Sequence, residues 1–145
     1  MSMSLVLKKY LLFLPWTVAL IATLGSLFFS EILKYPPCVL CWYQRICMYP
    51  LILILGVGII KKDKFITSYA LPLSLIGTLF AFYHNLLYYN IITEALAPCS
   101  TGVSCTTKYL TIFGFITIPI LSLLAFLTIN ISLIIYNRLI KNNQP

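Results

Sequence analysis

The sequence predicts an all-α membrane protein: a single bundle of four transmembrane helices with both termini cytoplasmic. Three observations carry this prediction. Of 145 residues, 61% are hydrophobic and only 9% are charged, with a mean hydropathy of +0.98; a soluble domain carries about a quarter of its residues as charged side chains. The apolar residues gather into four runs of roughly 20 residues or more, long enough at 1.5 Å per residue to cross a hydrocarbon core of about 30 Å. The basic residues, finally, are distributed asymmetrically about these runs. No run alternates as a barrel strand would, and no internal period suggests a repeat array.

The first span covers residues 10–29, behind Lys8 and Lys9. No A-x-A-like cleavage site follows it, so it is expected to be retained rather than removed as a signal peptide. The second covers residues 42–60, the third 65–89 and the fourth 109–136. Pro15, Pro50, Pro72 and Pro119 fall within or near these spans, where neighbouring helices re-satisfy the freed carbonyls. Lys8, Lys9, Lys61, Lys62, Lys64, Arg138 and Lys141 share one side, with Asp63 as its acid. Lys34, Arg45 and Lys108 share the other side with Glu31 and Glu94. The positive-inside tendency makes the first side cytoplasmic, so residues 30–41 and 90–108 form the outward loops. The net charge of +7 then reports topology, and neither a nucleic-acid partner nor a metal is expected.

Four of the five cysteines fall in the outward loops as two close pairs, Cys38 with Cys41 and Cys99 with Cys105, while Cys47 lies inside a span. Disulfides persist outside the cytosol and are rare within it, so two outward pairs on so small a bundle suggest redox chemistry at the membrane surface. A C-x-x-C pair closes a small ring and tends to be oxidising rather than structural. This one opens the second helix, where free N–H groups and the helix dipole stabilise a thiolate. Arg45 follows Cys41 by one helical turn, and an arginine so close to lipid marks a functional site by default. Cys99 and Cys105 enclose Ser100, Thr101, Gly102, Val103 and Ser104, a sequence suited to turning back on itself. His84, the single histidine, sits near the outer end of the third span. It suits either a cofactor contact or a packing role. The residues alone leave other readings open: four thiolates around zinc, static loop staples, and an Arg45 that merely snorkels to the headgroups.

The stretch Pro37-Cys38-Val39-Leu40-Cys41-Trp42-Tyr43-Gln44-Arg45, with Tyr49-Pro50 after it, is specific enough to name a family. Tyr83-His84, the Cys99/Cys105 loop and Ile118-Pro119-Ile120-Leu121-Ser122 add to it. The chain resembles the DsbB family of membrane thiol–disulfide oxidoreductases, and most closely its short Gram-positive BdbC type. The resemblance implies that an extracytoplasmic thioredoxin-like thiol oxidase (DsbA/BdbD-like) is reoxidised, and that its electrons pass to a membrane quinone, menaquinone rather than ubiquinone. By position, Cys99 would form the mixed disulfide with that partner, and Cys105 would attack the Cys38–Cys41 disulfide at Cys38. Cys41 would face the quinone with support from Arg45, and His84 carries over to the quinone site more weakly. Two competing functions are a vitamin K epoxide reductase-like enzyme and a non-enzymatic membrane scaffold with structural loop disulfides. In the former, C-x-x-C would be expected near the start of the last helix of the bundle, whereas here it opens the second.

Overall fold

The computed structural model describes residues 3–93, 103–107, 111–112 and 116–142. Among these are four long helices: α1 (Met3–Leu27), α2 (Val39–Lys61), α3 (Ile66–Tyr88) and α4 (Ile118–Lys141). Each packs on its neighbour in sequence, and α1 closes the ring against α4. All four contain segments long and apolar enough to span a bilayer. Leu53 is 70% and Ile60 81% exposed. An outer surface carrying such side chains is expected where lipid replaces water.

The connections explain the up-and-down order. α2 ends where Lys62 adopts the left-handed conformation (φ 52°). The Asp63 N–H then donates back to the Gly58 carbonyl at 2.9 Å, which closes the orphan carbonyls of the last turn. The Asp63 carboxylate accepts the Phe65 N–H at 2.8 Å and the Tyr69 hydroxyl, and α3 starts at once. With a turn this tight, α3 runs back beside α2, and Ile66 packs so closely on Gly58 that a Cβ there would collide with it. The α3–α4 seam shows the same economy, since a Cβ on Gly77 would strike the ring of Phe126. Polar side chains stitch that seam as well. Asn130 donates to Thr78 Oγ1 at 2.6 Å, and Asn85 donates to the Pro119 carbonyl at 2.9 Å. Interhelical bonds of this sort average about 0.6 kcal/mol in a membrane. The core between the helices holds Leu51, Leu55, Ile66, Phe126, Ile129 and Leu133, together with Cys47. Cys47 carries a free thiol.

Two expected boundaries are corrected. The first helix does not stop at residue 29: a π-helical turn carries it through Phe28–Ile32, which shortens the following loop. The fourth helix starts at Ile118 rather than residue 109. Ahead of it, β1 (Thr111–Ile112) pairs antiparallel with β2 (Ile116–Thr117). Hydropathy cannot separate such a β-branched run from a buried helix. Pro119 decides the helix start, because it lacks an N–H and suits the first helical turn.

Candidate active site

The residues just before α2 form the hub of the site. Pro36 and Pro37 are incompatible with a helix interior, so the chain enters extended and Cys38 becomes the N-cap (φ −72°, ψ 170°). Its sulfur does what a capping oxygen usually does, accepting the Cys41 N–H at 3.3 Å. That places the Cys38 and Cys41 sulfurs 2.9 Å apart, both as free thiols. Cys38 is buried and Cys41 half-buried.

α3 delivers His84 to this hub. The imidazole is 3% exposed. Its Nδ1 lies 3.0 Å from the side-chain nitrogen of Gln44. A side-chain amide nitrogen can only donate, so Nδ1 accepts and Nε2 carries the proton. Nε2–H then has two acceptors: the Cys105 carbonyl at 3.2 Å and the Cys38 sulfur at 3.8 Å. The Cys38 thiol is accordingly held far below its ordinary value of 9.0, at about 4. The hydrogen bond from the Cys41 thiol contributes most to this shift, and the His84 contacts and the Cys41 N–H add to it against the cost of burial.

Cys105 belongs to the same hub. It is 2% exposed and packs with Cys38, Leu40 and Leu87, and it is disulfide-bonded. A turn at Ser104 presents it, with the Thr107 hydroxyl donating to the Ser104 carbonyl at 2.9 Å. Cys99 lies outside the described residues. The structure thus brings four of the singled-out residues, Cys38, Cys41, His84 and Cys105, into one place.

Arg45 reaches elsewhere. One turn along α2 from Cys41, its guanidinium donates through Nε to Ser26 Oγ at 2.9 Å and through NH2 to the Ser26 carbonyl at 2.8 Å. It also lies 5.4 Å from the centre of the Trp42 ring, within cation–π range. Neither partner is a carboxylate, so the buried charge remains uncompensated by them. It faces a cavity of about 410 Å³, also lined by Cys38, Cys41, His84 and Cys105 and walled by apolar side chains such as Ile21 and Phe126. Three hydroxyls of cavity-lining residues, Thr23, Tyr49 and Tyr88, are buried without a hydrogen-bond partner among the described residues. Reading the sequence missed Gln44, Ser26 and these hydroxyls. Gln44 and Ser26 carried a faint signal as polar residues in apolar spans. Nothing in their spacing said that they meet His84 and Arg45.

The family model described as disulfide bond formation protein DsbB matches residues 8–136. Among similar curated proteins, disulfide bond formation protein C of Bacillus subtilis is 47% identical over 133 residues, covering 92% of this chain and 94% of its own. Probable disulfide formation protein C 1 of Bacillus anthracis is 49% identical over 122 residues, covering 84% and 88%. A probable disulfide formation protein of Metapseudomonas resinovorans is 47% identical over 129 residues, covering 88% and 90%. No solved structure matches the chain.

Proposed function

This chain belongs to the DsbB family of disulfide bond formation proteins, and on that premise we propose that it is a quinone-dependent thiol–disulfide oxidoreductase of the cell membrane. It reoxidises a thioredoxin-like, DsbA/BdbD-like thiol oxidase outside the cytoplasm through Cys99 and Cys105, and delivers the electrons to a membrane quinone through Cys38 and Cys41. The observation that carries this reading is the convergence of Cys38, Cys41, Cys105, His84 and Arg45 on one apolar cavity. The cysteine end faces outward and both termini face the cytoplasm, a polarity supported by the seven basic residues gathered at the opposite end.

The chemistry divides among the residues as follows. The partner's dithiol reduces the Cys99–Cys105 disulfide by exchange, leaving two thiols on the loop. The Cys105 thiolate attacks Cys38, breaking the Cys38–Cys41 bond, and Cys41 leaves as a thiolate in the field of Arg45. Cys99 then attacks Cys105, re-forming the Cys99–Cys105 disulfide and releasing Cys38 as a thiolate, whose charge His84 stabilises by donating Nε2–H to the sulfur. The Cys105 carbonyl, held by the same proton, keeps attacker and target in register. A ring with two carbonyl oxygens fits what the cavity provides: apolar walls and, among the described residues, a guanidinium without a carboxylate partner and three unpartnered hydroxyls. When bound, a quinone supplies a lipid-soluble acceptor for two electrons and two protons. Menaquinone is expected ahead of ubiquinone, from the Gram-positive resemblance.

The test uses purified full-length protein in detergent, a reduced thioredoxin-like protein and either quinone. The parental chain should reduce quinone at the expense of the dithiol, and Cys41→Ser and Cys99→Ser should each abolish turnover. Either variant working at the parental rate refutes the relay.

A further inference from the structure

A four-thiolate metal site would have to recruit the widely spaced Cys99/Cys105 pair. The fold assembles a different donor set: the Cys38 and Cys41 sulfurs and a ring nitrogen of His84 all lie within 4.8 Å of one another. We propose that the reduced protein binds one borderline-to-soft divalent cation, of the Zn²⁺ class, through Cys38, Cys41 and His84, so that the cation locks the dithiol in its reduced form.

The geometry is close to what such an ion requires. With metal–sulfur bonds of about 2.3 Å and metal–nitrogen bonds of about 2.1 Å, tetrahedral angles place sulfur about 3.6 Å from nitrogen and the two sulfurs about 3.8 Å apart. The Cys38 sulfur and His84 Nε2 already stand 3.8 Å apart. The two sulfurs, at 2.9 Å, must open by about 0.9 Å to reach that separation. Cys41 is the less buried of the two cysteines and takes up that movement. All three ligands line the cavity, which offers room for the open coordination place of a three-ligand site.

Charge agrees, and the outer hydrogen bonds can adjust once Nε2 gives up its bond to the Cys105 carbonyl at 3.2 Å. Two thiolates and a neutral imidazole cancel a divalent cation, so the complex adds no net charge to an apolar pocket. Among the described residues the nearby cation is Arg45, which spends hydrogen bonds on Ser26. To ligate, Nε2 must give up its proton and Nδ1 must carry one. Gln44, 3.0 Å from Nδ1, then turns its amide to present the oxygen, the outer partner that ligating histidines usually have. Binding displaces the protons that the two sulfurs still carry, and no electron moves. This inference concerns the reduced protein alone and does not rest on quinone dependence.

The test uses full-length protein carrying Cys99→Ser and Cys105→Ser, which removes every other loop thiol, reduced and titrated anaerobically with Co²⁺ in detergent. One Co²⁺ per chain should bind with sulfur-to-cobalt charge-transfer absorption, and Zn²⁺ should displace it. Oxidising Cys38 and Cys41 to the disulfide in the same sample should abolish the band. His84→Ala should weaken binding by about tenfold or more, and Gln44→Ala by about tenfold. The proposal is overturned if no thiolate band appears, if the band survives oxidation, or if His84→Ala leaves affinity and spectrum unchanged. The oxidised control needs no substitution at the ligands, so a misfolded His84→Ala cannot rescue the idea.

Discussion

At the scale of single residues, the site depends on where one proton sits. Gln44 donates to Nδ1 of His84, which commits the Nε2 proton to Cys38 and to the Cys105 carbonyl. A thiolate favoured at Cys38 stabilises the reduced pair and so makes its disulfide the stronger oxidant. The sign of the pH effect follows. The folded-state value of about 4 lies below the ordinary 9.0, so the stability this group gives the reduced protein is complete above pH 9.0. It declines as pH falls and is gone below about 4. Titrating thiolate absorbance in the reduced protein should therefore show one thiolate persisting to acid pH. Gln44→Ala frees the ring to take the other tautomer, and its transition should move up by about one unit or more. If Gln44→Ala and the parent titrate together, Gln44 does not position His84.

At the scale of elements, the helices are placed by small residues and by their ends. Gly77 lets α3 approach the buried Phe126 of α4, so Gly77→Ala should cost about 1–3 kcal/mol through overpacking. Gly25→Ala should cost nothing comparable, because open space surrounds its Cβ position. Unfolding of the two variants in detergent checks this directly, and equal stabilities would contradict the close α3–α4 contact. The cysteine helix end shows how much of an element is legible beforehand. Pro36 and Pro37 keep the chain ahead of Cys38 out of a helix interior, and α2 opens at once after Cys38. The start of α4 was hidden, because Thr111, Ile112, Ile116 and Thr117 are as apolar in sum as a helical turn. Only pairing between β1 and β2 distinguishes them.

At the scale of the whole molecule, an up-and-down ring of four helices sends the start of α1, the end of α4 and the Lys61–Lys64 turn to one end and Cys38, Cys41 and Cys105 to the other. With the polarity proposed above, a membrane-impermeant maleimide applied to reduced, intact cells should label the cysteine end. A cysteine placed by Lys62→Cys should react only after the membrane is breached, and the reverse pattern would invert the topology. The sequence by itself determined the class, the four apolar spans, the two close cysteine pairs between them and the family resemblance. Hydropathy, charge and spacing are additive along the chain and need no knowledge of who touches whom. What only the tertiary structure decided is the partnership of side chains from different helices. His84 from α3 meets Gln44 and Cys38 from the α2 end, Cys105 is carried in from the second loop, and Ser26 of α1 holds Arg45. Such contacts are set by helix rotation and close approach, which periodicity within one span does not specify, and they turn Cys38, Cys41 and Cys105 into one connected site.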